Sequence, residues 1–209
     1  MDSIPKHQLQ SISEKTIGHY NGRAEAFWEG TRDHDVTQNM EALIAALVET
    51  GSGRILDFGC GPGRDVAAFA QRGFDVTGLD GSAEFCHMAR QFSGRDVLHQ
   101  DFLSLDLPAG AFDGIFANAS LFHVPGQELP RVLSQLHTAL DVGGVLFSSN
   151  PRGQGQEGWN GERYGAYHSF SSWKALLETA GFSYVHHYYR PDGLPREQQP
   201  WLASVWRKV

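Results

Sequence analysis

The chain has 209 residues, 41% hydrophobic and 20% charged, and its 17 Lys and Arg stand against 24 Asp and Glu for a net charge of −7. That length is one domain's worth, enough to bury a core unaided, and the composition excludes disordered and collagen-like chains. The acidic balance lacks the basic footprint of a nonspecific nucleic-acid binder, two cysteines are too few for a disulfide framework or a four-ligand zinc site, and no apolar run reaches the roughly 18 residues of a membrane span.

Taken in order, MDSIPKHQLQSISEK is polar and lacks the apolar stretch of a secretory leader, so the expectation is a cytoplasmic protein. Residues 8–30 read as a helical lead-in with Tyr20, Phe27 and Trp28 as its aromatics. Residues 36–50 place Met40, Leu43, Ile44, Leu47 and Val48 at helical spacing and stop at Gly51 and Gly53. RILDFG is a short apolar strand, GCGPG a glycine-rich turn, and residues 64–72 a helix. FDVTGLD is a second strand, with Ser82 as N-cap of a helix over 83–92. DVLHQ and FDGIFAN are the third and fourth strands. A helix at roughly 126–140 carries Leu129, Val132, Leu133, Leu136 and Leu140, and GVLFSS is the fifth strand. This alternation predicts a doubly wound, Rossmann-like, mostly parallel α/β sheet with helices on both faces.

After the fifth strand the rhythm breaks. PRGQGQEGWNGERYGAYH has five glycines and no periodicity, which reads as a long functional loop. SSWKALLETAGF is a helix with a glycine stop. FSYVHHYY and LASVWRK are final strands, and their helix-free link predicts antiparallel pairing. Tyr184, Val185, Tyr188, Tyr189 and Trp206 read as strand core and cross-strand pairs. No metal is implied: His186 and His187 fall on opposite faces of a strand, and the histidines lack ligand spacing with acids or cysteines. Cys60 has no adjacent base and reads as a small filler in the turn. The expected organisation is a single domain over 1–209, with a lead-in and lid at 1–50, a binding core at 54–150, a substrate loop at 151–170, and the last helix and strand pair at 171–209.

Asp57-Phe58-Gly59-Cys60-Gly61-Pro62-Gly63 follows a strand and opens a helix, where glycines allow a sharp turn and close approach to a ligand. Asp80 lies 21 residues past Gly59 at the end of the second strand, placed to accept hydrogen bonds from ribose hydroxyls. A dinucleotide fingerprint would put its third glycine at position 64, which is Arg64. A carboxylate two residues before the first glycine also suits a cationic ligand better than a pyrophosphate.

ILDFGCGPGRD resembles the first motif of the class I S-adenosylmethionine-dependent methyltransferases. FDVTGLDGS resembles the second, HQDFLSLDLP the third, FDGIFANASLFHVP the fourth, and GGVLFSSN the fifth strand. The likeness is greatest to the small-molecule branch of that superfamily. It implies a seven-stranded sheet with an antiparallel last pair and S-adenosylmethionine as cofactor. Gly59, Gly61 and Gly63 would pack on the cofactor, Asp57 would hold its amino-acid end and Asp80 its ribose. Asp101 and Phe102 would serve the adenine, Asn118 the methionine portion, and Tyr20 and Trp28 would cover it. Gly81 departs from the acid-then-apolar pattern of the second motif.

For the acceptor, the expectation is a pocket built by Trp159, Asn160, Arg163, Tyr164, Tyr167 and His168, because a loop after the fifth strand emerges at the ligand-binding edge of the sheet. His123, Tyr164, Tyr167 and His168 are the candidate general bases. The expected function is methyl transfer to an O, N or S atom of a polar small molecule, by a monomer or homodimer that engages neither nucleic acid nor membrane. An RNA or protein methyltransferase and a noncatalytic cofactor-binding protein remain as alternatives.

Overall fold

The computed structural model describes residues 3–48 and 53–209, so Gly51, one of the two expected helix stops, lies outside the described residues. The lead-in is two helices, α1 (Lys6–Asn21) and α2 (Ala24–Thr31), broken at Gly22 and Arg23, followed by α3 (Thr37–Val48). Then come β1 (Arg54–Phe58), α4 (Arg64–Gln71), β2 (Asp75–Asp80), α5 (Ala83–Ser93), β3 (Val97–His99), β4 (Phe112–Asn118), α6 (Leu129–Ala139) and β5 (Leu140–Pro151). Ser82 caps α5 as expected, its Oγ accepting from Phe85 N at 3.1 Å.

Residues 151–168 are a correction to the loop reading. β6 (Gln156–Asn160) and β7 (Arg163–Tyr167) form an antiparallel hairpin, with Trp159 opposite Tyr164 and Asn160 opposite Arg163. Gly161, at φ 63°, opens the two-residue connection, a position where glycine relieves the left-handed backbone. α7 (Phe170–Thr179), β8 (Phe182–Arg190) and β9 (Trp201–Lys208) complete the chain.

Seven strands make one sheet in the order β3-β2-β1-β4-β5-β9-β8. Every pair is parallel except β5–β9 and β8–β9. Strand residues alternate between two buried faces. Ile55, Phe116, Val145 and Phe147 pack beneath α3, α4 and α5. Leu56, Ile115 and Leu146 pack against α6 and α7. Two buried tryptophans fasten α7 and β9 through serine hydroxyls: Trp173 Nε1 donates to Ser148 Oγ at 3.0 Å and Trp206 Nε1 to Ser204 Oγ at 2.8 Å. Strand order reverses between β1 and β4. Their carboxyl ends therefore open a crevice where a doubly wound sheet binds its ligand.

Candidate active site

The turn after β1 is built for close approach. Gly59 sits at φ 80°, and a Cβ there would meet Ser120 Cβ at 2.3 Å, so no side chain fits. The amides of Gly59 and Cys60 donate to Leu79 O at 2.8 and 3.0 Å, tying the turn to β2. Asp80 closes the same junction, its Oδ2 accepting from Gly61 N at 2.9 Å and its Oδ1 from Ser82 N at 2.8 Å. Burial pushes the Asp80 carboxyl up to about 6 against those hydrogen bonds. Gly63 does not face the crevice: a Cβ there would lie 2.7 Å from Ala89 Cα, so this glycine lets α4 approach α5. Asp57 lies behind the turn, 1% exposed, with Oδ2 lacking a hydrogen-bond partner. Burial, then the Asp65 carboxylate, hold it well above the usual carboxylate range. Burial likewise raises the Cys60 thiol far from nucleophilic range.

The lead-in helices cover this turn. Ser13 Oγ donates to Asp101 Oδ1 at 2.7 Å, and Leu103 N donates to the same oxygen at 2.8 Å. Ile17 fills the space a side chain at 81 would need, its Cδ1 lying 2.9 Å from a Cβ built on Gly81. The apolar position missing from the second motif is thus filled from α1. Phe102 stacks on Phe58 at 4.2 Å. Trp28 packs on Phe92 at 4.8 Å. Tyr20 lies edge-on to Phe27 and bonds to His123 Nε2 at 2.8 Å. His123 Nδ1 is 2.6 Å from the Tyr164 carbonyl. A carbonyl only accepts, so Nδ1 carries the proton, and Tyr20 must donate to Nε2. Burial lowers the His123 pKa to about 4, leaving a neutral imidazole with both nitrogens engaged.

Asn118, at the end of β4, is held by a chain of side chains. Tyr188 Oη donates to Asn39 Oδ1 at 2.8 Å, and Asn39 Nδ2 donates to Asn118 Oδ1 at 2.9 Å. Beyond it Arg64 grips Asp65 with two bonds, 2.7 and 3.0 Å, and reaches Thr31 O at 2.7 Å. Ala119 follows at φ 60°, a left-handed alanine fixed by Ala119 N donating to Ser149 O at 2.8 Å.

These groups line one cavity of about 820 Å³ that includes Tyr20, Trp28, Gly59, Gly61, Asp80, Asp101, Phe102, Asn118 and His123. Of the six residues expected to form the acceptor pocket, only Arg163 lines it. Trp159 is 46% exposed beneath the Lys15 ammonium, 4.6 Å away, and Asn160 is exposed at the hairpin turn. Tyr164 is buried against Trp159, Tyr167 lies 6.1 Å from Phe122, and His168 Nδ1 bonds to Ser172 Oγ at 3.0 Å. The cavity is also lined by residues the sequence did not single out: His34, Asp35, Val36, Ser149, Arg190, Pro191 and Trp201. The end of β8 meets the α2–α3 connection across 155 residues of chain, where the Arg190 guanidinium donates from Nη2 to the Asp35 backbone carbonyl at 2.9 Å. No local pattern signals that.

The Rossmann-like sheet with its glycine turn, Asp80 at the end of β2 and Asp101 after β3 has the arrangement expected from the resemblance to class I S-adenosylmethionine-dependent methyltransferases. Residues 56–148 match the family model described as a methyltransferase domain. An uncharacterized methyltransferase of Mycobacterium tuberculosis is 34% identical over 109 residues, 51% of this chain and 54% of that protein. The trans-aconitate 2-methyltransferase of Paracidovorax citrulli is 33% identical over 123 residues, 55% of this chain and 45% of that protein. The matches thus span about half the length of these relatives. The Burkholderia thailandensis 1,6-didemethyltoxoflavin-N1-methyltransferase, solved with 1,6-didemethyltoxoflavin and S-adenosylhomocysteine, superposes over 100% of this chain and 92% of its own with TM-score 0.77 and 21% identity, a likeness of fold.

The residues present fit S-adenosylmethionine. Gly59 lets Ser120 approach the turn closely, since the Ser120 Cβ lies where a side chain at 59 would begin. Ser120 Oγ, which lines the cavity, is a buried polar atom without a partner, suited to the amino-acid end of such a cofactor, whereas Asp57 lies behind the turn and does not line the cavity. Asp80 and Asp101 keep lone pairs for hydroxyl and amine donors.

Proposed function

We propose that the protein transfers a methyl group from S-adenosylmethionine to an O, N or S atom of a polar small molecule. The observation that carries this is one cavity lined by the glycine turn, Asp80, Asp101 and Phe102 and also by His34, Arg190 and Trp201. Its 820 Å³ lies toward the upper part of the roughly 300–1,000 Å³ usual for small-ligand sites, room for a cofactor and a small acceptor together. When bound, the cofactor supplies a methyl group on a sulfonium leaving group. The chain's own part is to align the acceptor and exclude water. α1 and α2 exclude water, and the Tyr188–Asn39–Asn118 chain steadies the centre of the cavity.

A net charge of −7 and a site roofed by α1 and α2 favour a small acceptor over RNA or protein. His123, the candidate base that lines the cavity, spends both nitrogens on neighbours, which favours an acceptor that needs no proton removed there. Calorimetry checks the cofactor: S-adenosylhomocysteine should bind in the micromolar range and nicotinamide dinucleotides should not. Asp80→Ala should weaken S-adenosylhomocysteine on the order of tenfold or more, from lost bonds to a charged acceptor of about 1.5–3 kcal/mol each. The reverse preference, or an unchanged affinity in a folded variant, overturns the reading. Methyl incorporation from labelled cofactor into a metabolite extract then separates an enzyme from a noncatalytic binder.

A further inference from the structure

Three guanidinium groups line the cavity, and they differ in what holds them. Arg64 is gripped by Asp65. Arg190 has no ion pair among the described residues but is held by donating Nη2–H to the Asp35 backbone carbonyl at 2.9 Å. Arg163 is half-buried and, among the described residues, has no carboxylate within ion-pair distance. Its neighbours there are the Tyr20 hydroxyl and the neutral His123. A half-buried cation without a counter-charge is costly to keep, and the cost is relieved by a ligand that brings one.

Resting on the methyl-transfer reading, we propose that the acceptor is an organic carboxylate and that Arg163 is the residue that binds its carboxylate. The fixed proton positions point the same way. Tyr20 donates its only proton to His123 Nε2, so it presents no donor to a ligand. The Arg163 guanidinium, which lines the same cavity, is then the anion-binding donor group beside them. His123 has no free nitrogen to take a proton, and an acceptor that arrives ionised leaves none to remove. A singly charged carboxylate suits the site better than a phosphate, because Asp35, Asp65, Asp80 and Asp101 line the same cavity and repel a dianion.

The test uses S-adenosylhomocysteine-saturated protein titrated with benzoate, benzamide and phenyl phosphate, in the wild type and in Arg163→Met. Benzoate should bind at least tenfold tighter than benzamide and tighter than phenyl phosphate. Arg163→Met should erase the preference for benzoate while S-adenosylhomocysteine affinity stays within about twofold. Arg163→Lys, which keeps the charge, should retain part of that preference. Benzoate binding no tighter than benzamide, a preference that survives in Arg163→Met, or phenyl phosphate binding tightest would each overturn the assignment. So would a loss of cofactor affinity in Arg163→Met, which would make Arg163 a cofactor ligand. Failure of the wild type to bind S-adenosylhomocysteine is a separate result, which removes the methyl-transfer reading and this proposal with it.

Discussion

Asp80 shows how one side chain links folding, pH and binding. Burial holds it near 6, above the ~3.9 of an exposed aspartate. Its neutral form is the one the folded state favours, so its contribution to stability is complete below about pH 4 and is lost as pH rises through 6. Cofactor binding has the opposite sign, because ribose hydroxyls donate best to the ionised carboxylate. S-adenosylhomocysteine affinity should therefore decline as pH falls below 6, by at most about tenfold per unit, with a proton released on binding near that pH. Calorimetry in buffers of different ionisation enthalpy measures that proton, and Asp80→Asn should abolish it. Ala119 offers a second residue-scale test. Its φ of 60° costs an L-residue on the order of 1 kcal/mol. Ala119→Gly should be neutral or stabilising in chemical denaturation, whereas Ala119→Val should cost at least ~1–2 kcal/mol. Equal stabilities for the two would show that the backbone there is not held left-handed.

At the scale of elements, the hairpin is the fastener of the lid. Tyr164 N donates to Thr16 Oγ1 of α1 at 3.1 Å, the Tyr164 carbonyl holds His123, and Lys15 lies over Trp159. Thr16→Val keeps the shape but leaves the buried Tyr164 amide without its acceptor, at a cost of about 1–3 kcal/mol. Hydrogen exchange should then quicken in α1 and β7 more than in β1, β4 and β5. Uniform quickening would mean that the lid is not a separate unit. The ion pair between His19 and Glu162, at 3.3 Å with Glu162 61% exposed, should matter much less, and Glu162→Ala should change stability by under ~1 kcal/mol. These contacts explain why the hairpin, although it emerges at the ligand edge of the sheet, brings only Arg163 to the cavity wall. Its other side chains face α1, solvent or α7.

The whole molecule should respond to its cofactor as one body. At a hundredfold excess over Kd, S-adenosylhomocysteine contributes ~2.7 kcal/mol to the folded state. For a chain of this size that is a rise in Tm of roughly 5–11 °C. NAD should leave Tm unchanged, and an equal shift with both would show that the site does not discriminate between them.

What the amino-acid sequence determined by itself was the local half of the site. The glycine turn, Asp80, Ser82 and Asn118 sit at strand ends, and hydrophobic periodicity with turn chemistry reads strand ends directly. The mostly parallel sheet followed from the alternation of elements, and the antiparallel last pair from the helix-free link and the family likeness. The hairpin was hidden because five glycines break the two-residue alternation, although Asn160-Gly161 is a turn signal within it. Gly63 was read as a cofactor residue because its spacing matched, and only packing shows that it faces Ala89. The rest was decided by tertiary structure alone. Ile17 stands where Gly81 lacks a side chain, Tyr20 meets His123 across 103 residues, and His34, Arg190 and Trp201 line one cavity with the glycine turn. The physical reason is that a strand's local pattern sets where its own end lies, whereas a cavity wall is the sum of several ends. Which ends meet is settled by how the helices and the last strand pair pack on the sheet, through contacts that leave no period in the sequence.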